Sequence, residues 1–330
     1  MQNIAVLGAK TLVGRELIAI LEQRDYPVRH IYLHDTSAGD GEQLLFKGKK
    51  QDMVPGYEGF LDKVDLVFCC ADRVGARSLI NKFKQKSLVI DLSGASSFMD
   101  GVPCLIPEFH MQDLEERKGV LANPRPMTIL LLLPLQPLHE KFKLNHLCIT
   151  GLISVSDYGV DALAELNYEY EFLAVDEELG KSEYSVFPHT IGSNMIPQVG
   201  DLDNQGHTEE ENLLVREIKG ILRGEEIRIS STFIWSPVKR ANCAVVYASF
   251  EKEISVNDAR KVLKSTAGVK LMRAEEYPTP EHVIGKDEVF VGRLRQDLGF
   301  PSGLAMWIVA DNLRKGSALN AVQIAEKIFR

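Results

Sequence analysis

The N-terminal segment restricts the possible folds more than any other part of the chain. An apolar run over Asn3–Leu7 stops at Gly8, and apolar residues then recur with helical spacing from Leu12 to Leu21. A strand, a glycine turn and an amphipathic helix in direct succession are typical of a βαβ unit. We therefore expect an α/β fold built on a parallel sheet.

The same alternation continues along the first part of the chain. Further strands are expected at Ile31–Leu33, Val64–Phe68 and Leu88–Ile90, with a helix at Val74–Phe83. Strands that alternate with helices indicate parallel pairing through helical crossovers. We place a Rossmann-like nucleotide-binding domain over residues 1–127.

The second part of the chain has a different pattern. Longer, alternating strands are expected at Leu147–Ser156, Ile227–Phe233, Ala244–Phe250 and Val289–Leu294, and helices at Asp161–Leu173, Thr208–Leu222 and Val256–Ser265. This pattern indicates an α+β domain, residues 128–310, with a mainly antiparallel sheet and helices on one face. The terminal segment Gly303–Arg330 has a helical pattern from Trp307 through Ile328.

Composition argues against several classes of function. The chain has 330 residues and a formal net charge of −8, which disfavours a nucleic-acid-binding face. No stretch is long and apolar enough for a transmembrane helix, and the immediate first strand leaves no room for a signal peptide. We therefore expect a cytoplasmic protein with no membrane partner. The five cysteines lack metal-ligand spacing, so no metal site is expected.

The loop after the first strand has the composition of a dinucleotide-binding turn. Gly8 and Gly14 flank it, and glycines there allow a pyrophosphate to approach backbone N–H groups. Asp35 follows the second strand, where a carboxylate accepts the ribose 2′-hydroxyl of NAD and repels the 2′-phosphate of NADP. NAD or NADP is the candidate cofactor, with NAD favoured; alternatively, the glycines only shape the turn. The candidate cofactor-binding residues are Gly8, Lys10, Thr11, Leu12, Val13, Gly14, Asp35 and Ser37.

Several segments spread along the whole chain resemble the aspartate-semialdehyde dehydrogenase family. They include Gly8–Glu16, Thr36-Ser37-Ala38-Gly39, Val186-Phe187-Pro188-His189, Arg228–Thr232 and Trp307-Ile308-Val309-Ala310-Asp311-Asn312-Leu313-Arg314-Lys315-Gly316. The resemblance implies a nucleotide domain, an inserted α+β domain for catalysis and dimerisation, and a C-terminal helix that returns to the first domain. Residues 311–330 are therefore assigned to the first domain, and a homodimer through the second domain is expected.

The family's catalytic residues are replaced in this chain. A cysteine nucleophile belongs in an Asn-Pro-Asn-Cys pattern, where the chain has Asn123-Pro124-Arg125-Pro126. The resemblance places the family's acid/base histidine at Asn242 and its carboxylate-binding arginine at Trp235. Proline, asparagine and tryptophan offer no nucleophile, no titrating base and no bidentate cation.

The other family positions are also substituted. The resemblance matches the phosphate-binding asparagine and arginine to Leu92 and Ser97, and a substrate-binding lysine to Leu213. The active-site glutamine matches Ile153, and the arginine usual for the NADP 2′-phosphate matches Thr36. The resemblance therefore leaves no family catalytic residue in place.

No other residue is expected to take over the covalent step. On a strand, the side chain of Cys243 faces opposite to that of Asn242. Cys104 and Cys148 occupy apolar positions that predict burial, and His189 is expected to have a structural role.

Three interpretations follow. The leading one is a non-catalytic homologue, resembling the family's degenerate Usg-type branch, with a binding or assembly role as a homodimer or with a protein partner. The first alternative is an NAD(P)-dependent oxidoreductase of the family that acts on an aldehyde or related small substrate without the covalent cysteine step. The second is a small-molecule-binding protein.

Overall fold

The computed structural model describes residues 1–97, 99–109, 118–174 and 186–329. The chain divides into two compact units: unit 1 is Met1–Arg125 with Ser317–Arg330, and unit 2 is Pro126–Gly316. The domain boundaries drawn from the sequence, after 127 and after 310, lie near these divisions.

Both units contain strands and helices. The strands are β1 Gln2–Leu7, β2 Val28–His34, β3 Gln43–Phe46, β4 Lys49–Val54, β5 Leu66–Cys69, β6 Leu88–Asp91, β7 Gly119–Ala122, β8 Leu144–Ser154, β9 Arg228–Ser236, β10 Asn242–Phe250, β11 Val269–Leu271, β12 Val289–Gln296 and β13 Gly303–Ala310. The helices are α1 Leu12–Gln23, α2 Arg73–Phe83, α3 Pro126–Phe142, α4 Val160–Ala174, α5 Glu209–Leu222, α6 Val256–Ser265, α7 Pro280–Val283 and α8 Leu319–Phe329. A 3₁₀ turn spans Val155–Asp157, and a π-helical turn spans Arg314–Ala318.

Unit 1 has the Rossmann-like architecture that the sequence predicted. Its seven-stranded sheet has the order β3-β4-β2-β1-β5-β6-β7, and its neighbours are parallel except in the β3–β4 hairpin. The strand order reverses at β1, which lies between β2 and β5. Sheets of this kind bind ligands at the carboxyl ends of the strands beside that point. Gly8 and Asp35 directly follow β1 and β2 there.

Side chains from alternate positions of β1 form two separate cores in unit 1. Ile4 and Val6 belong to the core on the side of α1 and α8, whereas Ala5 and Leu7 belong to the core on the side of α2. All four side chains have no exposed surface. A strand buried on both faces explains why the N-terminal apolar run is continuous.

Unit 2 contains a six-stranded mixed sheet with the order β11-β12-β13-β10-β8-β9. Three of its pairings are antiparallel and two, β8–β9 and β11–β12, are parallel. Helices α3, α5 and α6 pack against this sheet. Cys148 and Tyr247, paired across β8 and β10, are both exposed. The predicted mainly antiparallel α+β architecture is confirmed.

One local prediction is wrong, and one pair of strands was not predicted. The helical pattern expected from Trp307 begins inside a strand, since Gly303–Ala310 forms β13 and α8 starts only at Leu319. A continuous apolar run is compatible with either a buried strand or a buried helix, and pairing with β10 and β12 selects the strand. The β3–β4 hairpin was not predicted, because its two short strands carry few buried side chains.

Within the described ranges, no helix is long and apolar enough to cross a membrane.

Candidate functional site

Two glycines give the loop after β1 a shape that other residues cannot adopt. Gly8 has φ +81°, and a Cβ there would lie 2.6 Å from the backbone nitrogen of Ala71. A Cβ on Gly14 would lie 2.2 Å from the carbonyl oxygen of Gly8. Both positions therefore require glycine, as expected for a turn that brings backbone N–H groups close to a phosphate.

Thr11 caps helix α1 from within this loop. Its Oγ1 accepts a hydrogen bond from the Gly14 N–H at 3.0 Å and donates one to the Gly8 oxygen at 2.8 Å. Within the described residues, no acceptor lies against the backbone N–H groups of Leu12 and Val13. Two free donors at the positive end of a helix stabilise an anion, so the loop fits the pyrophosphate of a dinucleotide.

Asp35 is fixed by hydrogen bonds from two neighbouring segments. Its Oδ2 accepts from the Lys10 backbone N–H at 3.0 Å, and its Oδ1 accepts from the Ser37 N–H at 3.0 Å and the Ser37 hydroxyl at 2.8 Å. Burial alone would raise the pKa of Asp35, but the bonds from Ser37 and Lys10 outweigh it and lower the pKa. The side chain is an oriented carboxylate that can accept a ribose hydroxyl.

Sequence reasoning missed Glu42, which lies directly before β3. Its Oε2 accepts from the Lys10 ammonium at 3.0 Å and from the Gly39 N–H at 3.0 Å. The Lys10 ammonium also donates to the Ser37 carbonyl at 3.1 Å. No sequence motif marks this contact, because the long separation between residues 10 and 42 is closed only by the fold.

The loop after β6 carries the positions matched to the family's phosphate-binding residues. Buried Asp91 organises this loop, since its carboxylate accepts from the backbone N–H groups of Ser93 and Ser96 at 2.9 and 2.8 Å. Leu92 packs against the unit 1 core, and Ser97 is buried. Neither side chain carries the charge needed to neutralise a phosphate.

In unit 2, helix α3 begins at Pro126, the position matched to the family's nucleophile. Proline suits the first position of a helix because its missing N–H has no partner there in any case. A Cβ on Gly316 would lie 3.0 Å from the Cβ of Pro126, so the glycine accommodates the ring. The proline therefore serves as a packed helix start.

Trp235 lies in a cluster of aromatic rings. Its ring centroid is 5.4 Å from that of Phe187 and 5.8 Å from that of Tyr158. Trp235 and Phe187 are buried, whereas Tyr158 is 60% exposed. Ile153 on β8, which is the register partner of Trp235, is buried as well. Leu213 on α5 is also buried. The chain therefore has buried apolar side chains at Trp235, Ile153 and Leu213, where the resemblance places an arginine, a glutamine and a lysine.

The one arginine in the segment before Asn242 is already engaged. Nε of Arg240 donates to Oδ1 of Asp311 at 2.8 Å, and the Asp311 carboxylate has no exposed surface. Asp311 also accepts from the Gly285 N–H at 2.7 Å. Arg240 therefore holds a structural carboxylate in unit 2.

Asn242 is the centre of a buried polar network that sequence reasoning did not find. Its Oδ1 accepts from the N–H and the hydroxyl of Ser154, both at 2.9 Å, and its Nδ2 donates to Asp157 at 2.7 Å. Asn312 donates to the other oxygen of Asp157 at 2.6 Å and to the Ser156 hydroxyl at 3.0 Å. Two amides thus orient the exposed carboxylate of Asp157. The contacts join segments far apart in sequence, so no local pattern could have revealed them.

The two cysteines of unit 2, Cys148 and Cys243, differ in exposure. Burial raises the pKa of the Cys243 thiol to about 12, which keeps it protonated at neutral pH. The expectation that Cys148 is buried is wrong, because its position on β8 lies on the open face of the sheet. Cys104 is only partly buried. His189 lies at the surface.

The part of the chain that the structure describes contains no group of three or more His, Cys, Asp or Glu side chains that could hold a metal ion.

Two family models match most of the chain. Residues 3–117 match the semialdehyde dehydrogenase NAD binding domain, and residues 135–315 match the semialdehyde dehydrogenase dimerisation domain. The first match contains the glycine loop and Asp35. The second contains Trp235 and Asn242.

Individual proteins match over almost the full length. The aspartate-semialdehyde dehydrogenase of Aquifex aeolicus is 35% identical over 335 residues, covering 99% of this chain and 98% of that protein. The crystal structure of aspartate semialdehyde dehydrogenase II from Vibrio cholerae has a TM-score of 0.92 at 29% identity, covering 99% of this chain and 98% of that one. The same Vibrio cholerae enzyme complexed with ASA also gives a TM-score of 0.92, at 28% identity and with the same coverage.

These findings contradict the leading interpretation of a non-catalytic homologue. The full-length relatives carry the name of an enzyme, and one solved structure holds ASA. Nothing in the comparisons indicates a catalytically degenerate Usg-type branch. The chain belongs to the aspartate-semialdehyde dehydrogenase family.

Proposed function

We propose that the protein is an NAD(P)-dependent oxidoreductase of this family that acts on an aldehyde or related small substrate without a covalent cysteine step. Two features of the chain carry the proposal. The glycine loop after β1 is shaped for a dinucleotide, and α3 starts with a proline at the position matched to the family's cysteine. Reduction of an aldehyde to an alcohol needs a hydride, which the reduced dinucleotide would supply when bound, and a proton, which water supplies. It needs no thiol.

Unit 1 supplies the residues that would hold the dinucleotide. The N–H groups of Leu12 and Val13 bind the pyrophosphate at the start of α1, and Asp35 accepts a ribose hydroxyl. Lys10 and Ser37 position Asp35 through the hydrogen bonds that they donate to it. NAD is favoured over NADP because the Asp35 carboxylate repels a 2′-phosphate.

Unit 2, taken by itself, carries the side chains that we propose to contact the substrate. The rings of Trp235, Phe187 and Tyr158 favour an apolar or aromatic substrate body and leave a carboxylate without a bidentate cation. The substrate is therefore less anionic than aspartate semialdehyde. The exposed carboxylate of Asp157, oriented by Asn242 and Asn312, is the group of this network that binds a positive charge.

We also propose a homodimer formed through unit 2. The dimerisation-domain match covers this unit, and the exposed Cys148 and Tyr247 mark a sheet face that offers a second copy a flat surface. Light scattering after gel filtration is expected to give the mass of a dimer, and Tyr247→Glu is expected to shift it toward a monomer. A wild-type monomer at micromolar concentration would contradict this part of the proposal. The cytoplasmic location stays a prediction.

Dinucleotide binding is tested first, by calorimetric titration of NAD and NADP into the purified protein. Wild type is expected to bind NAD. Asp35→Asn is expected to bind NAD about tenfold more weakly, because one charge-assisted hydrogen bond to the ribose is lost. Gly14→Ala is expected to abolish binding, because its Cβ would lie 2.2 Å from the Gly8 oxygen. Gly220→Ala is the matched control, since a Cβ there has no neighbour within 4 Å. Absence of NAD and NADP binding at millimolar concentration rejects the proposal.

The non-covalent step is tested by following NADH absorbance with a panel of aldehydes. Neutral aliphatic and aromatic aldehydes are expected to react faster than aspartate semialdehyde. Treatment with iodoacetamide is expected to leave the rate unchanged, because the buried Cys243 thiol is protonated. Cys148→Ser controls for the exposed thiol. Loss of turnover that traces to one alkylated cysteine would refute the non-covalent step.

A further inference from the structure

The loop between β2 and β3 holds a second carboxylate beside Asp35. Glu42 Oε2 accepts from the Lys10 ammonium at 3.0 Å, and the same oxygen accepts from the Gly39 N–H at 3.0 Å. The Glu42 N–H donates to the Gly39 carbonyl at 3.2 Å, and the Glu42 carbonyl accepts from the Met53 N–H at 2.8 Å. The Glu42 carboxylate is therefore held in place from both its backbone and its side chain.

Lys10 is the cation that borders Asp35. Its backbone N–H binds the Asp35 carboxylate, and its ammonium reaches the Ser37 carbonyl at 3.1 Å. The acid after the second strand is where this fold meets the adenosine ribose, so groups beside Asp35 are those that a 2′-phosphate would meet. An unengaged lysine there would attract that phosphate as a point charge.

Glu42 removes this attraction in two ways. It neutralises the Lys10 ammonium in an ion pair, in which the two side chains are 30% and 35% exposed. It also leaves the three charged groups Lys10, Asp35 and Glu42 with a net negative charge, which repels a phosphate dianion. Thr36, which the resemblance matches to the family's arginine for NADP, adds no compensating charge.

We infer that Glu42 is a specificity-determining residue that selects NAD over NADP by engaging Lys10. The inference rests on the proposed function and names the form of dinucleotide that the loop accepts. Glu42 does not contact NAD itself. Its effect is confined to the 2′-phosphate, which is the group that distinguishes NADP from NAD. Removal of its charge alone therefore changes the affinity for NADP and leaves that for NAD nearly constant.

Glu42→Gln tests this inference, because the amide oxygen retains the hydrogen bond from the Gly39 N–H while the charge is lost. Calorimetric titrations with NAD and NADP are expected to show NADP bound about tenfold more tightly than in wild type, the scale of a partly exposed phosphate–lysine contact. The affinity for NAD is expected to stay within about twofold on the same electrostatic argument. Glu22→Gln, an exposed glutamate on α1, controls for the change in net charge.

The double variant Lys10→Met with Glu42→Gln identifies the cation. It is expected to lose the gain in NADP affinity, because no ammonium remains to meet the phosphate. The thermal midpoint of each variant verifies that the loop is folded. If NAD binds but Glu42→Gln changes the NADP-to-NAD ratio no more than Glu22→Gln, the inference is overturned and the proposed function stands. If neither dinucleotide binds any of these proteins, the proposed function fails and the inference with it.

Discussion

Removal of the Asn242 side chain is the most direct test of the polar network in unit 2. Asn242 has no exposed surface and makes three hydrogen bonds, two from Ser154 and one to Asp157. A neutral hydrogen bond contributes about 1 kcal/mol and one to a carboxylate about 2 kcal/mol. Removal of the side chain is therefore expected to lower the free energy of unfolding by about 3 to 4 kcal/mol. The Asn242→Ala variant also leaves the Ser154 N–H buried without its acceptor, which keeps the estimate at the upper end.

Urea unfolding measures this loss. Both tryptophans of the chain, Trp235 and Trp307, lie in unit 2, so their fluorescence reports on that unit alone. With an m-value of about 2 kcal/mol per M, the midpoint of Asn242→Ala is expected to fall by about 1.5 to 2 M. Asn145→Ala is the matched control, because Asn145 is only partly buried and accepts one bond, from the Ser249 hydroxyl at 2.7 Å. Equal midpoint shifts for the two variants would refute the reasoning.

Asn242→Asp separates hydrogen bonding from charge. The new carboxylate keeps the acceptor for Ser154 but loses the donor to Asp157, which lies 2.7 Å away in wild type. Two carboxylates at that distance cannot both ionise, so the pair holds a proton with a raised pKa. That proton is lost as pH rises, so the stability of Asn242→Asp is expected to fall between pH 5 and 8, relative to wild type. A constant difference between the two proteins over this range would contradict the account.

Three further predictions concern other parts of the chain. Burial lowers the pKa of His34, so the unfolded chain binds protons first and the free energy of unfolding is expected to fall as pH drops below about 6.5. His34→Phe is expected to reduce this fall, as followed by circular dichroism, and the part that remains comes from groups such as His139, whose pKa burial also lowers. Gly151→Ala is expected to destabilise unit 2 by about 1 to 3 kcal/mol, since its Cβ would lie 2.7 Å from the ring of Phe233. In the same thermal unfolding assay Gly220→Ala, whose Cβ has no neighbour within 4 Å, is expected to stabilise the protein by about 0.5 to 1 kcal/mol because alanine favours a helix over glycine. In the Tyr247→Glu monomer, a thiol reagent is expected to label exposed Cys148 well before Cys243, whose pKa burial raises to about 12, and Cys148→Ser removes the fast phase.

Amphipathic helices were the parts of the fold best predicted from sequence. The expected Val256–Ser265 is helix α6, and the expected Thr208–Leu222 is α5 with Thr208 as its N-cap. Each has one apolar side, and the capping residue marks its start. The second half of strand β13, from Trp307, was predicted as the start of a helix. Every residue of this strand is at least partly buried, which removes the periodicity that separates the two structures.

The candidate site was predicted less completely. The glycine loop and Asp35 follow a local pattern, so the sequence alone pointed to them. The Asn242 network joins β8, β10 and the segment after β13, and the Glu42–Lys10 pair joins two loops. Partners separated by so many residues are chosen by strand order and register, which local patterns do not encode.

The sequence by itself determined the alternation of strands and helices, the dinucleotide-type turn and the absence of a cysteine at Pro126, because each depends on neighbouring residues. The tertiary structure alone decided which carboxylate engages Lys10, which amides orient Asp157, and that Cys148 lies on an open sheet face. Those outcomes depend on which distant segments the packing of each unit brings into contact. Side-chain chemistry is local, whereas the charge and exposure of a site are set by its neighbours in space.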